Sequence, residues 1–210
     1  MKLVIDPGHG GDNTGAIGNG IVEKDWVYKA ATAISEVTKW DVLRGPDEAL
    51  SLSQRGIRSR ELGADLVLCL HVNANSSPLL HGTTAYYLMH QPGMKELGER
   101  IARSSPKPWR RPFHEAILAH NGPGLTDDWL QAPVNVMTPH ADHALVVLIE
   151  SFFLTNKQDA EFAKDPTCYA QFAHCVITSV TFFLSFSEQP GETAPTETGV
   201  LEMTEQYQAP

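Results

Sequence analysis

Leu66-Val67-Leu68-Cys69-Leu70 is a continuous apolar run, and it ends at His71. Two similar runs occur at residues 3–6 and 145–149. Short runs without polar alternation are typical of strands that are covered on both faces. We therefore expect these three segments to form the centre of a parallel sheet.

The segments between and after these runs complete an alternating pattern of strands and helices. The sequence predicts helices at residues 24–38, 52–62, 94–103 and 166–186, and further strands at 41–44 and 83–88. A β-α-β-α-β order gives right-handed crossovers and helices on both sheet faces. We expect one α/β domain over residues 1–186, with a twisted, mostly parallel central sheet of about six strands.

Two segments stand outside this pattern. Residues 104–133 are rich in proline and glycine and exceed the usual length of a connection, so we expect a lid over the site. Residues 187–210 contain five glutamates, three prolines and no lysine or arginine. Such a composition buries too little apolar surface to order itself, which predicts a disordered acidic tail.

The charge balance limits the possible partners. The 210 residues include 16 Lys and Arg against 25 Asp and Glu, which gives a formal net charge of −9. This sign disfavours contact with nucleic acid phosphates or anionic lipid. The sequence therefore predicts no nucleic acid partner, and we expect a monomer.

The cysteines and the chain termini give further expectations. Cys69, Cys168 and Cys175 lack the spacing of a disulfide framework or a zinc knuckle, so we assign them, with His174, to the core. Residues 175–186 are shorter than the roughly 20 apolar residues that span a membrane, which predicts a buried helix and no membrane insertion. No signal peptide is visible before residue 3.

Three of the predicted strands lead to polar residues at one edge of the sheet. In open α/β sheets, ligands bind at the carboxyl ends of the strands. There the first strand leads to Pro7-Gly8-His9-Gly10-Gly11, and the other two end at His71 and Glu150. A single histidine at a strand end is most often structural, but two imidazoles and a carboxylate at one edge favour a zinc site.

Competing motifs are weaker. The glycine-rich loop at residues 6–12 matches neither nucleotide-binding pattern. The segment 114–120 resembles a helical zinc-protease motif, but His120 lies six residues after His114, on a different helix face. Asp127 and Asp128 are adjacent and would diverge, so we expect loop or capping residues rather than a glycosidase pair.

His140 and His143 precede the strand that leads to Glu150. Either histidine would be able to face the site or bind substrate if the preceding segment turned it towards the sheet edge. A surface position is the more common outcome for histidines in such a segment. We therefore expect His140 and His143 to be mobile surface residues.

With these motifs placed, the sequence resembles the zinc-dependent N-acetylmuramoyl-L-alanine amidases, often called type 3 amidases. The similarity lies in residues 5–16 (IDPGHGGDNTGA) followed by Glu23, in residues 50–55 (LSLSQR) and 63–74 (GADLVLCLHVNA), and in residues 147–156 (VLIESFFLTN). Cys69, Val72 and Ser151 replace the more usual residues, but these changes spare every candidate ligand.

The resemblance implies one zinc ion held by His9, Glu23 and His71, with Glu150 as the acid/base catalyst. From the residues alone, Glu23 is equally well explained as an acidic residue in the first turn of a helix. Asp6 and Asn73 are candidate partners that would fix the imidazole tautomers, and a backbone-turn role fits both equally well.

The resemblance also implies a substrate and a place of action. It predicts cleavage of the amide between N-acetylmuramic acid and L-alanine in peptidoglycan. The alternatives are a zinc peptidase that cuts within the stem peptide and an inactive wall-binding module. Without a visible leader, we expect synthesis in the cytoplasm and release of the endolysin type, to act on the wall.

Overall fold

The computed structural model describes the backbone of residues 1–110, 117–120 and 128–187, and the side chains of residues 1–110 and 135–185. The strands are β1 (Leu3–Pro7), β2 (Ile17–Gly18), β3 (Ile21–Val22), β4 (Asp41–Val42), β5 (Leu66–Asn73), β6 (Thr84–Leu88), β7 (Ile117–His120) and β8 (Leu145–Phe153). The helices are α1 (Glu23–Thr38), α2 (Leu52–Glu61), α3 (Met94–Ser104), α4 (Asp128–Ala141), α5 (Lys157–Ala163) and α6 (Cys168–Ser187). A 3-10 turn covers Lys107–Trp109.

Six strands form the central sheet, in the order β4-β1-β5-β8-β6-β7. The pairs from β4 to β8 are parallel, as is the pair of β6 with β7, whereas β6 runs antiparallel to β8. Strands β2 and β3 form a separate two-stranded hairpin. The expected α/β domain with a mostly parallel sheet of six strands is confirmed.

Helices cover both faces of this sheet. α1, α3 and α6 pack on one face, and α4 packs on the other with α2 against it. Alternate residues of β5 serve the two faces: Leu66, Leu68 and Leu70 join the first core, while Val67 and Cys69 join the second. Because both faces are buried, the strand needs an apolar residue at every position, which explains its continuous apolar run.

Two strands extend further than the apolar runs indicate. β5 continues through His71 to Asn73, and β8 continues through Glu150 to Phe153. The cause is pairing: His71 is the register partner of Glu150, and Asn73 pairs with Phe153 after a bulge. The two polar residues therefore lie inside the strands near their carboxyl ends, and the expectation that they end the strands is wrong.

Helix α6 closes the core along one face. Phe172, Val176 and Val180 are fully buried. By length and composition Cys168–Ser185 would suffice to cross a membrane, with 33% of that window buried. Outward positions on this helix include polar residues such as Gln171 and Thr178. The helix expected to be buried is therefore buried along one side only.

The three cysteines are free. Cys69 and Cys168 are buried, and Cys175 is half-buried. The core assignment of His174 is wrong, because this residue is exposed on α6. Its position follows from the helix period, since the inward positions here are those of Phe172, Ala173 and Val176.

Several expectations fall partly outside the described residues. The start of the 104–133 segment belongs to the core, because the Trp109 side chain is fully buried and stacks on Phe152. The proposed lid beyond residue 110 and the acidic tail beyond Ser187 lie outside the described side chains. His114 and Asp127 lie outside the described residues, whereas His120 ends β7 and Asp128 begins α4.

Candidate metal centre

Three predicted ligands meet at the carboxyl edge of the sheet. The Glu23 Oε1 atom lies 3.0 Å from His9 Nε2 and 3.0 Å from His71 Nδ1. One donor atom from each of the three residues falls within 4.8 Å of the other two. The sequence-predicted set of His9, Glu23 and His71 is therefore brought together, from a loop, a helix and a strand.

The loop after β1 reaches the site because its glycines leave room for other groups. A Cβ atom on Gly8 would lie 2.4 Å from His71 Cε1, and one on Gly15 would lie 2.5 Å from Glu23 Oε2. Real Cβ contacts are not this short, so only glycine fits at either position. His9 itself has a positive φ of 59°, which turns its ring towards His71, with ring centroids 5.0 Å apart.

Glu23 is the first residue of α1. This position agrees with the alternative explanation of Glu23 as an acidic residue in the first turn of a helix. Its carboxylate nevertheless turns away from the helix: Oε2 accepts a hydrogen bond from Ala16 N, and Oε1 accepts one from Val72 N. Burial raises the pKa of Glu23, but its hydrogen bonds with His71 and His9 outweigh burial and hold the pKa well below its ordinary value. The carboxylate is ionised and bridges two imidazoles.

Glu150 lies beside this group on the neighbouring strand. It pairs in register with His71 of β5 on one side and with Thr84 of β6 on the other. Its Oε2 atom is buried and has no hydrogen-bond partner among the described residues. Burial, followed by the negative charge of Glu23, raises the Glu150 pKa well above its ordinary value. A buried acid of this kind gives up and takes back protons nearer neutral pH.

Two cavities meet at the histidines. The larger, of about 570 Å³, lies between the His9 loop and the start of α2, and Asn13, Ser51 and Leu52 line it. The smaller, of about 280 Å³, lies on the side of Glu150 and Ala74. His9, His71 and Val136 line both.

The expected partners of the imidazoles differ from those in the structure. His9 Nδ1 lies 3.1 Å from Asn13 Oδ1, a partner that the sequence analysis missed. Asp6 instead contacts Arg55 and His140. The Asn73 carbonyl oxygen accepts a hydrogen bond from Leu154 N. A direct role for Asp6 or Asn73 in fixing a tautomer therefore has no support in these contacts.

The expectation for His140 and His143 is wrong. His140 is fully buried, with Nε2 at 3.2 Å from Asp6 Oδ2 and Nδ1 at 2.8 Å from Ser59 Oγ. His143 is half-buried, and its Nε2 lies 3.0 Å from the same hydroxyl. The packing of α4 on the sheet and against α2 buries His140 and leaves His143, just after α4, partly covered. Tertiary packing of this kind leaves no local signal in the sequence.

Comparison with known proteins bears on this site directly. The family model described as N-acetylmuramoyl-L-alanine amidase matches residues 3–181. The chain belongs to this family. The match includes every strand of the sheet and all four candidate site residues, so the family resemblance stated from the motifs is confirmed.

Individual relatives support the same family. The chain is 32% identical over 169 residues to the N-acetylmuramoyl-L-alanine amidase LytC of Bacillus subtilis, which covers 77% of this chain and 31% of LytC. It is 25% identical over 201 residues to the endolysin of Bacillus phage SPP1, covering 92% of this chain and 70% of the endolysin. The chain spans about a third of the length of the curated amidases LytC and CwlM that it matches.

Solved structures confirm the fold. The N-acetylmuramoyl-L-alanine amidase from Clostridium difficile 630 superimposes with a TM-score of 0.73 at 23% identity, over 90% of this chain and 98% of that one. The catalytic domain of CwlV from Bacillus (Paenibacillus) polymyxa gives a TM-score of 0.70 at 23% identity, over 88% and 99%. The described sheet and helices therefore form the fold of amidase catalytic domains.

Proposed function

We propose that the chain hydrolyses the amide between N-acetylmuramic acid and L-alanine of the peptidoglycan stem, with one zinc ion held by His9, Glu23 and His71. The observation that carries the proposal is the meeting of two imidazole nitrogens and one carboxylate oxygen beside the unpartnered Oε2 of Glu150. Family membership supports the choice of substrate.

The donor set fits zinc. Catalytic zinc sites use three nitrogen or oxygen ligands and keep a fourth position open, and a carboxylate with two histidines is one of the known sets. Glu23 Oε1 faces a ring nitrogen of each histidine at 3.0 Å, so the three donors already point at one another. A bound zinc ion would polarise the scissile carbonyl and lower the pKa of a water molecule towards about 7.

Glu150 moves the proton in this mechanism. Its raised pKa suits a group that takes a proton from the attacking water and returns it to the leaving L-alanine nitrogen. Because Glu150 lies in the sheet between β5 and β6, its backbone is fixed on both sides. General acid/base catalysis of this type contributes about 10²–10⁴-fold to the rate.

The two cavities suggest an orientation for the substrate. Glu150 lines only the smaller cavity, and it must lie near the leaving nitrogen. We therefore place the stem peptide in the smaller cavity, beside Ala74, and the muramoyl side in the larger cavity, beside Leu52 and Ser51. The larger volume suits a sugar with its neighbouring saccharide.

Digestion of purified sacculi tests the proposal. An amidase exposes new L-alanine amino groups, leaves the glycan without new reducing ends, and releases stem peptides that mass spectrometry identifies. New amino groups from other stem residues would instead show a zinc peptidase, and binding without release would show a wall-binding module. Glu150→Gln is the inactive control, because it keeps the shape of the side chain but cannot carry the proton. It should release no stem peptides.

The place of action is proposed on the same grounds. Similarity to the phage SPP1 endolysin over 92% of this chain favours release of the endolysin type from the cytoplasm to the wall. Cells that express the chain should lyse only after the cytoplasmic membrane is permeabilised. Lysis without permeabilisation would contradict this route.

We also expect the chain to be a monomer. Sedimentation measures the oligomeric state.

A further inference from the structure

The backbone of His9 adopts an uncommon conformation. Its φ of 59° lies in the left-handed region, which a residue with a Cβ rarely occupies. Such a conformation persists only where the surroundings over-determine it. Within the loop, Gly10 and Asn13 exchange two backbone hydrogen bonds, and Gly8 N donates to the Leu70 carbonyl oxygen of β5, but none of these bonds uses the carbonyl oxygens of Pro7, Gly8 or His9. Other groups must hold those three carbonyls.

Arg55, from α2, supplies part of that hold. Its Nη2 donates a hydrogen bond to the His9 carbonyl oxygen, and its Nη1 donates to the Pro7 carbonyl oxygen at 2.8 Å. The same Nη1 forms an ion pair with Asp6 Oδ1. The planar guanidinium thus joins two carbonyls of the loop and a carboxylate of β1, a pattern that the point charge of a lysine does not reproduce.

Arg44, from the segment after β4, approaches the same loop from another side. Its Nε donates to the Pro7 carbonyl oxygen at 2.9 Å, and its Nη2 donates to the Gly8 carbonyl oxygen at 2.8 Å. The same Nη2 also donates to the Lys24 carbonyl oxygen, at the start of α1. The two arginines together bind the carbonyl oxygens of three consecutive residues, Pro7, Gly8 and His9.

This arrangement is electrostatically costly. Arg44 and Arg55 are only 2% and 4% exposed, and charged side chains are rarely this buried unless paired. Burial, together with the charge of Arg55, lowers the pKa of Arg44. The compensating anion is Asp6: burial raises its pKa, but the hydrogen bond to His140 and the charge of Arg55 outweigh burial and lower it. A core of apolar residues would avoid this cost, so the arginines need a role that packing does not supply.

Asp6, Cys69 and His140 also lie close enough together to suggest a second ion site. Their contacts argue against it. Both oxygens of Asp6 already have partners, Arg55 and His140, and His140 Nδ1 faces Ser59. An ion here would displace these bonds and sit beside the positive charge of Arg55. The cluster serves instead to anchor Arg55.

We propose that Arg44 and Arg55 form a carbonyl clamp, which holds His9 in its left-handed conformation and so preorganises it as a metal ligand. The clamp is the set of their hydrogen bonds to the carbonyl oxygens of Pro7, Gly8 and His9, and Asp6 is its counter-ion. Arg44 and Arg55 are positioning residues, because their effect on the site passes through His9. The inference rests on the proposed metal site.

Zinc affinity, measured by competition with a chelator, tests the clamp. Arg55→Lys keeps the charge beside Asp6 but cannot bind both carbonyls and the carboxylate. We expect zinc to bind about 10–100-fold more weakly, as when other supporting partners of metal ligands are removed. Circular dichroism must show an unchanged fold at the temperature of the titration. Excess zinc should restore kcat with KM unchanged, whereas a direct substrate contact by Arg55 would raise KM.

Arg60→Lys is the matched control. Arg60 lies on the same helix, and its partner is the exposed Asp142, so zinc affinity should not change. Zinc affinity of Arg55→Lys within twofold of the unchanged chain would overturn the proposal, as would an equal loss in Arg60→Lys. If Arg55→Lys fails to fold, Asp6→Asn takes its place, because it keeps the side-chain shape and weakens the anchor of Arg55. Weaker zinc binding by Asp6→Asn would support the clamp, and unchanged binding would overturn it.

The same titration separates this proposal from the proposed function. If the unchanged chain does not bind zinc, the metal site itself is wrong. If the unchanged chain binds zinc and Arg55→Lys, or Asp6→Asn in its place, binds it equally well, the metal site stands and the clamp is wrong. Arg44→Lys provides an independent measurement on the second arginine, with the same expected loss.

Discussion

His71 and Glu150 are register partners on adjacent parallel strands, β5 and β8. Side chains of register partners project from the same face of a sheet, so the proposed ligand and the proposed acid/base catalyst share one face by construction. Their relative position depends on the ladder hydrogen bonds at the centre of the sheet. Movement of a surface loop would therefore leave this pair intact.

The first prediction separates the roles of this pair. Glu150→Gln should bind zinc with the affinity of the unchanged chain and lose about 10²–10⁴-fold in kcat, because it removes the proton carrier and no ligand. Zinc content and the rate of sacculus digestion measure the two effects. Glu161→Gln, which changes an exposed glutamate of α5, is the control. Near-normal activity of Glu150→Gln would remove Glu150 from the mechanism.

The second prediction concerns the ligands. His9→Ala and His71→Ala should each weaken zinc binding by more than about 100-fold, beyond the 10–100-fold that is typical for loss of a supporting partner. Chelator competition measures the change. His174→Ala, an exposed histidine of α6, should bind zinc normally. If a variant of His9 or His71 keeps full zinc affinity, that histidine is not a zinc ligand.

The third prediction concerns pH. The ordinary pKa of a glutamate is 4.5, and that of Glu150 is raised well above it. The base must be ionised to take a proton from water, so kcat/KM should fall as the pH drops through the raised pKa. The acid limb should therefore lie above pH 4.5. Because histidine protonation also releases metal, the profile must be measured at two zinc concentrations, and a limb that moves with zinc reports metal loss instead.

The fourth prediction uses the close approach of Gly8 to His71. Gly8→Ala would place a Cβ 2.4 Å from His71 Cε1, so the imidazole must move and zinc affinity should fall by about tenfold or more. Gly45→Ala is the control, because its nearest neighbour would lie at 3.9 Å. Equal zinc affinities for the two variants would show that moving the His71 imidazole does not affect zinc binding.

The fifth prediction tests the orientation of the substrate. Ala74→Leu narrows the smaller cavity and should lower kcat/KM about tenfold, with a larger effect on longer stem peptides. Leu52→Ala alters the larger cavity and should affect substrates according to glycan length. Defined muropeptides of graded length measure both dependences. If the two dependences are exchanged, the substrate lies in the opposite direction.

The sequence was sufficient where local pattern and topology act together. Continuous apolar runs predict the buried strands, and the carboxyl edge of a parallel sheet then brings His9, His71 and Glu150 to one place. Glu23 required the family resemblance, because its position at a helix start does not reveal that its carboxylate turns back to two histidines.

Long-range packing could not be predicted in this way. His140 is buried because α4 lies over the sheet, and neither the period nor the spacing of its segment indicates this. Arg55 lies in the LSLSQR motif, yet its partners are mainly backbone carbonyls of a distant loop. Backbone carbonyls are the same for every residue type, so the sequence does not indicate which of them an arginine binds.

The two halves of the metal centre are anchored differently. His71 belongs to a central strand paired on both sides, whereas His9 belongs to a loop in a left-handed conformation. Local opening costs least where few ladder hydrogen bonds must break. Hydrogen exchange near His9 should thus proceed by partial opening, while exchange near His71 requires global unfolding. The chain should consequently release the proposed zinc ion on warming before it loses its sheet, and the proposed activity should at first be lost reversibly.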